Sequence, residues 1–358
     1  MFKRADELHT PDPYFSGAAG FVGSGLEQLH DDMSRMELPQ GVPDSVRRCH
    51  DALRHTYIYS YYSYDLLPVA AAQTFPCLEL ALRERLGSQF VGKLDRKGKT
   101  RPPPILDELT RLDFAIGSAG LMRWALNLTL HHTHGRRTFQ RVLAEQPLMR
   151  NVLADLCLES EAATVIAFRL ARAIDEAAAG SEQARLLERI LTPVAKFWNC
   201  KRVPGFVAEC VECHGGNGFI EEQPMARLYR EAPLNGIWEG TGNVICLDVL
   251  RALQCEPDSV AALLDELSLA RGADHRLDTA IDALEVELSD VDAQEHRARH
   301  ITAMIATVVE GALLVRHSAP AVADAYVASR LDGMPNRAFG SLPRGIDATA
   351  IVARAVVQ

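Results

Sequence analysis

Between residues 105 and 331 apolar residues recur every three to four positions, and almost no stretch alternates apolar with polar. That spacing gathers the apolar side chains on one stripe of an α-helix and would scatter them across both faces of a strand. It predicts helices over 105–134, 144–179, 184–213, 244–254, 258–271, 275–289, 293–317 and 319–331, with Gly180 separating the second from the third. The long span 214–242 breaks the pattern with a cluster of glycines, Pro224 and Pro233. The fold class expected is mainly α: an antiparallel helix bundle with extra C-terminal helices and one long functional loop. A low aromatic content of 6% beside abundant Ala and Leu points the same way.

Residues 1–104 read differently. Residues 1–45 combine Pro11, Pro13, Pro39 and Pro43 with Gly17, Gly20, Gly23 and Gly25, which predicts a loose arm with one short helix near 24–36. Five of the eight tyrosines follow at 57–64, then a helical stretch over 69–86 ending at Gly87, a C-cap. KLDRKGKTRPPP comes next, with Lys93, Arg96, Lys97, Lys99 and Arg101 before three prolines, and reads as a linker. Three regions result: 1–104, 105–255 and 256–358. The tyrosines beside the basic run have two readings, a base-stacking surface or a packed face next to a solvated linker.

The length of 358 residues is enough for a sizeable core, and the net charge of −9 argues against a nucleic-acid polycation. MFKRADELHTPDPYF has no apolar run after its charges, so no signal peptide is expected, and no uninterrupted apolar run is long enough to span a bilayer. The expectation is a cytoplasmic protein without membrane attachment. Its eight cysteines are then reduced and mostly buried as small hydrophobes.

Two stretches carry candidate chemistry. Cys210-Val-Glu-Cys-His214 has the spacing of a haem attachment motif, and its thiols and imidazole are metal ligands by type. No export signal accompanies it, and His131, His132 and His134 point in different directions on one helix, so the match is read as incidental and no metal is assigned. In IWEGTGN, Glu239 lies between Trp238 and Gly240. A carboxylate beside an apolar ring tends to a raised pKa, which suits a general base. Thr241 offers a hydroxyl, and Asn243 is placed to cap a helix starting at Val244. An ordinary capped helix start with a solvated glutamate fits the same spacing.

The stretches RLDFAIGSAGLMRWALNLTLHHTHGRRTF, QPLMRNVLADLCLESEA, LTPVAKFWNCKR and FVAECVECHGGNGFIEEQPMARLYREAPLNGIWEGTGNVICLDVLRAL, in this order, resemble the C-terminal region of the acyl-CoA dehydrogenase family, closest to its AidB (alkylation-response) branch. The resemblance covers about two thirds of the chain from Leu106 onward. It implies FAD as cofactor, an acyl-CoA thioester as substrate and a homo-oligomer, a dimer of dimers. By it, Glu239 is the base that removes the α proton while a hydride leaves the β carbon. Trp238, Gly240, Thr241 and Asn243 lie beside the flavin. Arg137, Phe139 and Gln146 meet the ADP part of FAD from a neighbouring subunit. Gly215, Gly216 and Gly218 form the turn that approaches the pyrophosphate, where glycine leaves backbone amides accessible.

The sequence departs from the family pattern in three places. Trp238 replaces the commoner tyrosine, Gln140 replaces a glycine, and the residues before the match carry no β-domain pattern. A non-catalytic helical protein acting in oligomerisation or in a DNA-associated response is therefore the alternative function. For DNA contact, residues 256–295 hold twelve acidic residues against Arg271 and Arg276, a surface that repels phosphate, while 296–358 hold seven arginines against four acids.

Overall fold

The computed structural model describes residues 26–38, 40–59, 104–290, 293–332 and 338–356. The helix expected at 69–86, the basic linker and most of the tyrosine cluster lie outside these residues. Helices α1 (Leu26–Ser34) and α2 (Asp44–Tyr59) belong to one compact unit. In it Leu29, Met33 and Val46 are buried, and Arg54 Nε donates to Met33 O at 2.8 Å.

The second unit is the helix bundle. Its elements are α3 (Pro104–Gly135), a two-stranded hairpin of β1 (Arg137–Thr138) and β2 (Arg141–Val142), α4 (Pro147–Ala178), α5 (Glu182–His214) and the single turn α6 (Gly216–Phe219). There follow α7 (Pro224–Glu231), α8 (Gly242–Cys255), α9 (Pro257–Ser268), α10 (His275–Ser289), α11 (Gln294–His317), α12 (Pro320–Arg330) and α13 (Ala348–Ala355). Helix α7 corrects the expectation of an irregular 214–242: PMARLYRE forms two turns that bury Met225, Ala226 and Leu228. The hairpin was also unforeseen, because strands of two residues are too short to show alternation.

Local chemistry explains the chain reversals. Gly180, at φ 100°, ends α4 in a left-handed conformation that costs glycine little, and Ser181 N–H closes the turn on Glu176 O at 3.0 Å. Ser181 Oγ then accepts from Ala184 N–H at 3.2 Å and starts α5. Helix α5 is the central strut, running along α4, α8 and α9. Asn199, fully buried within it, donates from Nδ2 to Ala115 O at 3.1 Å and Ala163 O at 3.0 Å, tying α5 to both long neighbours.

Two apolar cores share this strut. One is built around Leu191, Val194, Ile245, Leu263 and Ile305. The other gathers Met122, Leu126, Leu156, Phe206 and Tyr326 and takes in Ile351 and Val352 of α13. Helix α11 is long and apolar enough to cross a membrane by composition, yet 67% of that stretch is buried inside the bundle, as a core helix requires.

Buried charge joins α4, α5, α12 and the turn at Gly340. Arg202 bonds Glu159 through Nε at 2.5 Å and Nη2 at 3.0 Å. Arg330 Nη2 reaches Asp155 at 2.5 Å and Glu159 at 3.2 Å, and Gly340 N–H donates to Asp155 Oδ2 at 2.9 Å. Both guanidiniums oppose the penalty of burial and hold the Glu159 carboxyl below its usual range.

Glu310 of α11 behaves in the opposite way. Burial, reinforced by Glu159, pushes its pKa up to about 8, although Tyr326 OH and Trp198 Nε1 donate to its Oε2 at 2.5 and 3.0 Å. Its folded pKa lies above its unfolded value, so its contribution is complete below about 4.5 and is lost as pH rises toward about 8. Glu310→Gln keeps an acceptor there and removes the proton. Urea unfolding across that window should show the variant gaining stability relative to the native chain as pH rises. A constant difference would mean Glu310 titrates normally.

Candidate functional site

The candidate residues fall into two groups on α5. The first lies at its C-terminal end. The β1–β2 hairpin pairs Arg137 with Val142 and Thr138 with Arg141, leaving Phe139 and Gln140 as a two-residue turn. Both have positive φ, 46° and 67°, as a type I′ turn demands, so Gln140 is strained where the family pattern has glycine. The turn holds Phe139 out in water at 93% exposure. Arg137 Nη2 donates to Gln140 O at 3.2 Å and Gln146 Nε2 to Thr138 O at 3.1 Å, so both side chains brace the hairpin.

Across from the hairpin, α5 ends at Gly215, with φ 62° and ψ −142°. A Cβ built on Gly215 or Gly216 meets nothing within 4 Å, so this backbone stands open. Gly218 is glycine for another reason: its Cβ would sit 2.6 Å from Val211 O. A cleft of about 360 Å³ runs between the two sides, lined by Arg136, Thr138, His132, His214, Gly216 and Asn217 among others.

The Cys-x-x-Cys-His stretch sits behind this cleft. Cys210 and Cys213 are core residues, and burial pushes the Cys210 thiol up to about 12. His214 Nδ1–H donates to Cys210 O at 2.8 Å, and its ring stacks on His132 at 4.6 Å. Burial lowers both imidazole pKa values, and for His132 the neighbouring His214 adds to it. Among the described residues no three His, Cys, Asp or Glu side chains converge as metal ligands would.

The second group is the loop before α8. Trp238 packs edge-on against the buried Phe114 at 5.6 Å. Glu239 has φ 50° and Gly240 φ 109°. A left-handed non-glycine residue costs on the order of 1–2 kcal/mol, so Glu239 is held there by its surroundings. Its side chain is exposed, and no apolar enclosure surrounds it among the described residues. Gly242 is close-packed: a Cβ on it would lie 2.7 Å from Lys201 Cε and 3.2 Å from Phe197. Helix α8 itself is anchored by Asp248, which accepts from Arg111 of α3 and from Arg189 of α5 at 3.2 Å.

One expectation is corrected here. Asn243 does not cap a helix starting at Val244. The helix begins at Gly242, Thr241 occupies the N-cap without a side-chain cap bond, and Asn243 Oδ1 accepts from Arg299 Nε at 2.8 Å. Residues missed from sequence include Arg299, Asn235, which donates to Ser118 Oγ at 3.2 Å, and above all Lys196. Lys196 is 1% exposed and donates to both Trp238 O and Gly240 O. Its signal was a single lysine set between the buried Ala195 and Phe197 of a helix.

The bundle that carries the glycine turn and the Trp238–Gly240 loop is similar to known proteins. Residues 108–254 match the family described as acyl-CoA dehydrogenase, C-terminal domain. The chain is 41% identical to AidB of Escherichia coli over 224 residues, covering 63% of this chain and 41% of that relative. It is 30% identical to acyl-CoA dehydrogenase family member 11 of Caenorhabditis elegans, covering 71% of this chain and 43% of that one. Among solved structures, Caenorhabditis elegans ACDH-11 in complex with C11-CoA matches with a TM-score of 0.54 at 27% identity, over 70% of this chain and 42% of the other. The chain thus spans about two fifths of the length of the curated relatives it matches.

Proposed function

We propose that the chain takes part in flavin-dependent α,β-dehydrogenation of an acyl-CoA thioester, as an AidB-like member of its family. The observation that carries this reading is Glu239, an exposed carboxylate held at φ 50° in the loop before α8, with no side-chain hydrogen bond or ion pair among the described residues. In this role Glu239 takes the α proton of the thioester from one face of the substrate. Trp238 and Gly240 flank the reacting carbons, and the acyl-CoA complex of the nematode relative supports the substrate class.

The residues present fit FAD. The open backbone at Gly215 and Gly216, with Arg136 across the cleft, suits a phosphate-bearing ligand, and Phe139 supplies an aromatic face beside it. When bound, FAD supplies the acceptor for the hydride that leaves the β carbon. Lys196 and His214 are eighteen residues apart on α5, about 27 Å at 1.5 Å per residue, so the two groups do not line one pocket. A homo-oligomer, a dimer of dimers, lets one protomer's cleft serve the cofactor whose reacting end faces another's Glu239. A cytoplasmic setting without membrane attachment belongs to the same reading.

DNA contact is the weaker alternative. Arg297, Arg316, Arg330 and Arg354 in the C-terminal helices are each paired with carboxylates of this chain, which leaves them little to offer phosphates.

The test is a flavin spectrum with size measured alongside. The purified protein, incubated with FAD and desalted, should keep a flavin absorption band that bleaches on adding an acyl-CoA, and should run as a multiple of 39.4 kDa. A protein with no flavin band after incubation overturns the reading.

A further inference from the structure

Lys196 is a buried lysine of the bundle whose hydrogen bonds run to a loop and not to a carboxylate. It is buried in the middle of α5 among apolar residues, a costly position for an ammonium. Burial lowers its pKa against the opposing pull of Cys200 and of the nearby Glu239 carboxylate, and no carboxylate among the described residues hydrogen-bonds it. Its Nζ instead lies 5.8 Å from the centre of the Phe114 ring and donates to Trp238 O at 2.8 Å and to Gly240 O at 2.6 Å. These two carbonyls flank Glu239, the one non-glycine residue of the loop with positive φ. They converge on a single cation only while Glu239 and Gly240 keep their left-handed conformations.

We infer that Lys196 is the positioning residue of the Trp238–Gly240 loop: its ammonium gathers the carbonyls on either side of Glu239 and so fixes the direction in which that carboxylate projects. The hold on the loop stands on these contacts alone; its value for proton removal rests on the dehydrogenase reading. Lysine suits the task because three donors on a compact cation serve two carbonyl oxygens and an aromatic face together. Phe114 closes the other side, since it contacts both Trp238 and the ammonium.

The experiment uses the full chain labelled with 5-fluorotryptophan. It has three tryptophans and so three fluorine signals, and Trp238→Phe identifies that of Trp238. In Lys196→Met the Trp238 signal should move or broaden while that of Trp124 stays. Amide exchange over residues 239–242 should quicken about tenfold as the loop opens locally. Leu267→Ala, a change in the same core away from the loop, should lower stability and leave the Trp238 signal in place. Lys196→Gln, which keeps a neutral donor, gives the same readout if the methionine variant does not fold. In a dehydrogenation assay, Lys196→Met should lose about 100-fold in kcat with little change in KM, as misaligned catalytic groups do.

A native chain without turnover, whose Trp238 signal still moves in Lys196→Met, removes the dehydrogenase reading and leaves the hold intact. An unchanged Trp238 signal with unchanged exchange in both variants overturns the hold, whether or not the native chain turns over.

Discussion

Glu239→Gln should abolish α-proton removal, by about 10²–10⁴-fold, and leave the fold as it is. The amide has the shape of the carboxylate and cannot accept the proton. Glu239 is exposed, and no side-chain hydrogen bond or ion pair to it is found among the described residues, so the exchange breaks no contact of this kind. The measurement that isolates the step is exchange of the acyl-CoA α hydrogen with heavy water, followed by NMR. KM should hold steady, because the loss is confined to the transition state. Equal exchange rates in the native chain and the variant would remove Glu239 from the chemistry, even if dehydrogenation were observed.

Arg330→Met should have the largest effect on stability, a loss of about 3–5 kcal/mol in urea unfolding. Arg330 is 9% exposed at its side chain and serves Asp155, which is 0% exposed, together with Glu159. Taking the guanidinium away leaves two carboxylates desolvated near one another, with Arg202 still on Glu159 and Gly340 N–H on Asp155. The cost comes from the orphaned charge and not from a lost attraction, so Arg330→Met combined with Asp155→Leu should recover part of it. A loss below about 1 kcal/mol in the single variant would show the pair to be as weak as a surface bridge.

The long helices were legible because their period repeats over several turns. The expected 105–134 and 184–213 became Pro104–Gly135 and Glu182–His214, and 275–289 was found as His275–Ser289. Short elements escaped because they do not live long enough to show a period: the hairpin at Arg137–Val142 and the two turns of α7 are fixed by what they pack against. Asn243 misled because capping propensity is a local signal, whereas its side-chain oxygen is taken by Arg299 from 56 positions away and the helix starts before it, at Gly242.

Of the candidate site, the residues with a local signature could be singled out as candidates from sequence, Glu239 and the glycines among them. The residues that act across the fold could not. Lys196 meets the loop more than forty positions later in the chain, and Arg330 meets Asp155 from a separation of 175. The seven arginines of 296–358 read as a mild basic excess until their partners were visible, and four of them turned out to neutralise carboxylates of the same chain.

The loop before α8 has a consequence for how such a chain can change over generations. Its shape is written in Gly240, in Gly242 and in the ammonium beneath it, and none of these is the carboxylate proposed to react. Glu239 could be exchanged by a single mutation with little penalty to folding, so shape and chemistry are inherited separately at this spot. If the proposed reaction is real, a lineage could retire it while retaining the scaffold, or regain it by one codon.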